Sequence, residues 1–151
     1  MRLLWLMVTL LLAPAAQAAP VFDDPSDLLE YAYQPYRDGN FPEDPYELWS
    51  PDLLERWALM VARTPDEEVG AVDFDPMINA QDHDLAEVMI GTPLVLDDRA
   101  VVTARFVNFG VPQLMRFTLV RGEGGWRIED IEALTPGRDW RLTEILSSPA
   151  S

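Results

Sequence analysis

The sequence predicts an α+β domain, with two N-terminal helices laid on one face of an antiparallel sheet and a short helix closing the chain. Three observations predict it. Runs rich in β-branched and aromatic residues at Arg99–Phe109, Gln113–Arg121 and Trp126–Ile131 follow one another, broken by Gly110-Val111-Pro112 and Gly122-Glu123-Gly124-Gly125. Breaks of that length and glycine content close hairpins, so the three runs form a meander. Upstream, Asp24-Pro25-Ser26-Asp27 and Ser50-Pro51-Asp52 each open an apolar stripe with a capping side chain and a first-turn proline. Downstream, Leu142, Ile145 and Leu146 share the inward side of a short helix over 140–146.

In chain order, residues 1–18 read as a signal peptide, with Arg2, an apolar run from Leu3 to Ala13, Pro14, and Ala16-Gln17-Ala18 as cleavage site. The run is short of the about 20 residues a membrane span requires, which predicts a periplasmic or secreted protein with no membrane attachment after cleavage. Removing it leaves 133 residues, a single domain over 19–151, with 10 arginines, 26 acidic residues and a formal charge of −16. That charge excludes nucleic acid as a partner and suits a basic one. No cysteine is present, so packing alone must hold the domain together.

The first helix carries Leu28, Leu29, Ala32 and Tyr36 on one face, and Pro35 predicts its end near Tyr33. Residues 37–50 are rich in proline, aspartate and glycine and read as a loop. The second helix presents Leu53, Leu54, Trp57, Ala58 and Val61, ends at Thr64-Pro65, and is expected against the Phe117 face of the sheet. Residues 65–86 read as loop with a short edge strand at Ala71–Phe74. Glu87–Leu96 then reads as the first long strand, interrupted at Gly91 and Pro93, where the proline marks an edge strand or a bulge.

Pairing Phe106 with Met115, Ala104 with Phe117 and Val102 with Leu119 gathers the apolar residues on one face. The second hairpin then sets Leu119 opposite Ile128 and Arg121 opposite Trp126. On this register Arg105 meets Arg116, with Glu129 nearby to ease them, and Ile131 faces outward. Asp130 turns inward opposite Phe117, where hydrogen bonds must hold its carboxylate or desolvation must raise its pKa.

This ending, a hairpin followed by Trp126-Arg127-Ile128-Glu129-Asp130-Ile131 and a short helix, resembles that of a nuclear transport factor 2-like domain. Tyr31-Ala-Tyr-Gln-Pro-Tyr36 and Asp73-Phe-Asp-Pro76 with Asn79-Ala-Gln-Asp82 extend the likeness, which is greatest to a family of small exported bacterial proteins of unknown function. The resemblance implies a cystatin-like α+β roll. In it a curved antiparallel sheet of about four main strands forms a cone, with the N-terminal helices on its concave face. The superfamily includes the ketosteroid isomerases, which implies a low-ranking catalytic role for Asp130 as general base of a small isomerase or dehydratase. Tyr33, Tyr36, Trp57, Phe117 and Asp130 are the candidate lining of a ligand pocket in that cone.

Asp73, Asp75, Asp82 and Asp84 surround the only histidine, His83. Their spacing does not match a calcium loop, and one histidine is too little for zinc. Turn capping by Asp75 and Asp82 is the simpler role, and no metal or cofactor is expected. Neither a Gly-x-Ser-x-Gly elbow nor a phosphate-binding glycine loop occurs. Tyr46 and Trp49, beside Glu43, Asp44 and Glu47 in a proline-rich loop, are placed to rim an open cone. The expected function is therefore non-enzymatic binding of a small molecule or protein. Inhibition of a basic secreted enzyme, of the immunity type, is the alternative, and the outer sheet face is a candidate homodimer surface.

Overall fold

The computed structural model describes residues 19–65 and 70–148. The signal-peptide reading of residues 1–18 falls outside them. Within them lie helices α1 (Pro25–Arg37), α2 (Pro51–Arg63) and α3 (Leu142–Ser147). The strands are β1 (Leu85–Ile90), β2 (Leu94–Leu96), β3 (Arg99–Asn108), β4 (Val111–Gly122), β5 (Gly125–Ala133) and β6 (Trp140–Arg141). The strands form one open antiparallel sheet in the order β1-β3-β4-β5-β6, with β2 also on β3. The sheet thus has six strands rather than about four. The expected first long strand is divided at Gly91–Pro93 into β1 and β2, and two residues of the expected last helix pair with β5 as β6. No described helix is long and apolar enough to cross a membrane.

Even-numbered β3 residues Ala100, Val102, Ala104 and Phe106 are buried, as are Met115, Phe117 and Leu119 of β4 and Trp126, Ile128, Ile131 and Ala133 of β5. The β3–β4 register differs from the expected one by two residues, with Ala104 opposite Met115 and Val102 opposite Phe117. The reason is the turn. Val111 and Pro112 belong to the ladder, and only Phe109 and Gly110 make the reversal, both at positive φ (48° and 78°). An even slip preserves side-chain parity, so the predicted faces survive. Arg105 now lies opposite Leu114, and Arg116 opposite Thr103, which removes the like-charge contact.

The second hairpin keeps Leu119 opposite Ile128 and Arg121 opposite Trp126, but a β-bulge follows. Glu129 is the additional residue, so Asp130 faces Thr118 and Ile131 faces Phe117. One inserted residue exchanges the two faces of everything beyond it. Asp130 therefore leaves the apolar side and Ile131 enters it, reversing both expectations.

The helices depart from expectation in two ways. α1 continues through Pro35, which has no N–H to donate to the Tyr31 carbonyl one turn back. Its last turn is closed by the N–H groups of Asp38 and Asn40 on the carbonyls of Gln34 and Pro35, with Tyr36 buried beyond. The ring that meets Phe117 is Tyr33 of α1, edge-on at 6.2 Å, while α2 reaches the same apolar face through β5. α2 packs chiefly on β5 and α3. It buries Leu53 and Met60, leaving Leu54, Ala58 and Val61 exposed and Trp57 half-buried. No strand forms at 71–74, where the chain turns into an isolated bridge between Asp75 and Ala80.

The far edge of β5 is covered along its length. Phe22 and Trp49 bridge in parallel to Gly125 and Ile128, and β6 takes Glu132 and Ala133. A Cβ on Gly125, at φ 83°, would lie 2.5 Å from the Phe22 carbonyl oxygen, so only glycine fits.

Candidate functional site

The bond pair that anchors residues 48–50 to the sheet also positions the site. The Ser50 N–H donates to the Ile128 carbonyl (2.7 Å) and the Ile128 N–H donates to that of Leu48 (2.8 Å). Ser50 then caps α2, its hydroxyl oxygen accepting from the Leu53 N–H at 3.2 Å. Trp49 is thereby fixed between sheet and helix, and Trp57 follows two turns into α2. Tyr46 is brought to them by a turn closed by its N–H on the Asp44 carboxylate (2.9 Å) and by the Trp49 N–H on its carbonyl (3.0 Å). The three rings meet with centroids 5.0–5.5 Å apart, two of the pairs edge to face.

With Phe41, Phe74, Asp75 and three prolines, these rings line a groove of about 220 Å³. Phe74 is held by Trp140 (5.1 Å), and Phe41 by His83 (4.5 Å, edge to face). Trp49 is only 3 % exposed, and its indole N–H has no acceptor among the described residues. Tyr46, 37 % exposed, forms the outer lip.

Asp75 is the carboxylate of this groove. One oxygen accepts from the Tyr36 hydroxyl at 2.5 Å and the other from the Met77 N–H at 2.9 Å, closing an Asx-turn. Burial pushes its acid above the usual carboxylate range, against the Tyr36 and Met77 hydrogen bonds and the nearby His83, which pull it down. Burial and the Asp75 charge raise the Tyr36 phenol far above its usual range, so Tyr36 stays the donor.

Across the Pro42–Pro45 wall lies a second, wider trough of about 390 Å³, lined by Tyr31, Gln34, Asp38, Glu43, Asp44 and Glu47 among others. Tyr31 donates to Glu47 across it (3.0 Å).

The five pocket candidates from the sequence do not form one site. Tyr33 and Phe117 are fully buried in the core, and the Tyr33 hydroxyl donates to the Met77 carbonyl at 2.6 Å. Tyr36 reaches Asp75, and Trp57 lines the groove. Asp130 lies apart from all four. Its carboxylate accepts from the Thr143 N–H (3.1 Å) and hydroxyl (2.9 Å) at the start of α3, with Arg141 at 3.6 Å. It holds a helix end and has no place in an apolar interior.

The aspartates suggested for a metal are dispersed in role. Asp75 and Asp82 accept from the N–H groups of Met77 and His83, and Asp73 accepts from Gln81. Among the described residues no three His, Asp or Glu side chains converge as ligands. On the outer sheet face Glu132 pairs with Arg116 (2.7 Å) and Arg141 (2.9 Å), and Arg99 pairs with Glu129. Phe74 and the linking role of Asp75 escaped the sequence reading. The only signal was their place within an aspartate-rich loop.

Comparison with known proteins gives no match to a family model, to a curated protein or to a solved structure.

Proposed function

We propose that this chain is an exported, non-enzymatic binding domain of the cone class its sequence resembles, and that it binds at the aromatic groove rather than inside the sheet. The observation that carries this is the groove itself. Phe41, Tyr46, Trp49, Trp57 and Phe74 converge on about 220 Å³ around one half-buried carboxylate. Small-ligand sites have this makeup, mostly apolar walls with a few placed polar groups. The interior supports the same reading, because Tyr33, Phe106 and Phe117 fill the space beneath the helices with touching rings. A catalytic reading through Asp130 lacks the apolar surroundings that would make that carboxylate a base.

The test is a fragment screen on isotope-labelled protein by NMR. Hits are expected to shift resonances of Tyr46, Trp49, Trp57 and Phe74 together, and Trp57→Ala is expected to remove them. Hits clustered on the outer sheet face instead, or none anywhere, would sink the proposal. The acidic trough beside the groove favours one form of this reading, in which the ligand is a basic secreted protein that the domain inhibits or neutralises.

A further inference from the structure

We infer that the groove seats the guanidinium of an arginine from a basic, extended polypeptide, with Asp75 as its counter-ion and the neighbouring trough receiving the adjoining basic residues. This rests on the binding-domain reading and names its ligand.

The first ground is an imbalance between two carboxylates. Glu132, nearly buried, is paired with both Arg116 and Arg141. Asp75 is also partly withdrawn from water, yet among the described residues no cation lies within ion-pair distance of it. Its two hydrogen bonds come from neutral donors, Tyr36 and Met77. A carboxylate in that setting gains more from an incoming cation than one in water does, because the local dielectric is lower.

The second ground is what surrounds it. Aromatic faces attract a cation through their quadrupole. A guanidinium suits the place better than an ammonium, since it stacks flat on a ring while its edge donates to a carboxylate. Tyr46, Trp57 and Phe74 supply rings, and Asp75 supplies the acceptor at the same groove.

The third ground selects a polypeptide over a free cation. The trough shares Pro42, Pro45 and Met77 with the groove and adds Asp38, Glu43, Asp44 and Glu47. Among the described residues no arginine pairs with any of those four. An extended chain crossing the Pro42–Pro45 wall places a second basic side chain among those carboxylates. The formal charge of −15 for the whole chain attracts such a partner from a distance.

The test uses the chain from residue 19 onward, with binding followed by tryptophan fluorescence and calorimetry. The probes are the blocked peptide Ac-Arg-Ala-Arg-NH2, its lysine counterpart and N-acetylarginine amide. The two-arginine peptide is expected to bind about tenfold more tightly than either of the others, through linked occupancy of groove and trough. Asp75→Asn and Trp57→Ala should each weaken it about tenfold. Asp97→Asn removes a charge in a turn that lines neither cavity and should leave binding unchanged.

Should Asp75→Asn not fold, Glu43→Gln combined with Glu47→Gln carries the test, losing the preference for the peptide while keeping the single arginine. Equal affinity for peptide and N-acetylarginine amide would overturn the inference in favour of a small-molecule site. Equal weakening by Asp75→Asn and Asp97→Asn would reduce it to diffuse attraction, and it would fall with no binding at all. Fragment hits in the groove without peptide binding defeat this inference alone, whereas hits confined elsewhere defeat the binding site as well.

Discussion

Asp75 and Glu132 are both drawn partly out of water, yet their acids shift in opposite directions, because burial outweighs the hydrogen bonds at Asp75 and two arginines outweigh burial at Glu132. Burial raises Asp75. The folded chain therefore holds that proton more tightly than the unfolded one, and stability falls as pH rises through the window between the ordinary and the raised value. Asp75→Asn should match the wild type in acid and exceed it at neutral pH, read as urea midpoints along a pH series. The hydrogen bond from Arg116, with that from Arg141, lowers Glu132. Its contribution is present above the ordinary carboxylate value and is lost as pH falls through the folded one. Glu132→Gln should cost about 1–3 kcal/mol at neutral pH, with the difference vanishing in strong acid. Asp130 ties the start of α3 to the sheet. Removing the acceptor of the Thr143 N–H and hydroxyl in Asp130→Ala should cost about 1 kcal/mol, as loss of a helix cap does.

Two local irregularities set the geometry of the elements. The β3–β4 reversal places Phe109, 58 % exposed, at φ 48°. A bulky side chain there costs on the order of 1–2 kcal/mol, and asparagine bears the conformation far better. Phe109→Asn is expected to stabilise the chain by about 1 kcal/mol, measurable by chemical denaturation. The bulge at Glu129 makes a second prediction. Deleting that residue restores a continuous ladder with Asp130 still opposite Thr118 and Ile131 still opposite Phe117. The variant should remain folded, losing only the Arg99 ion pair, worth about 0–1 kcal/mol at an exposed site. Unfolding of that variant would mean the bulge's curvature is itself required.

At the scale of the molecule, stability rests on one core shared by α1, α2, α3 and the apolar sheet face. With no disulfide to constrain the unfolded chain, single losses from that core weigh heavily. Phe117→Ala, beneath Tyr33, should cost about 3–5 kcal/mol of a total on the order of 5–15, read as a lowered denaturation midpoint. The groove borders this core, with Trp49 and Met77 belonging to both, and it is anchored by the bonds of Leu48 and Ser50 to the middle of β5. Binding there therefore needs no opening of the sheet.

Much of the α+β arrangement was legible because period-two alternation and proline-led helix caps are local signals. The buried face of β3 and β4 was readable despite the wrong register, since a slip of two residues leaves parity intact. Asp130 was misplaced because a bulge leaves no mark in composition: Glu129 looks like any strand residue until its neighbours pair. The density of aromatic residues at 41–57 was legible, but Phe74 and Asp75, which line the same groove, are distant in sequence from Trp49 and Trp57. The chain alone determined the three central strands, the starts of the first two helices, the buried face of β3 and β4, and the acidic, cysteine-free character. Only the tertiary structure decided which carboxylate sits among the rings and which supports a helix, because both depend on contacts between segments that no local pattern encodes.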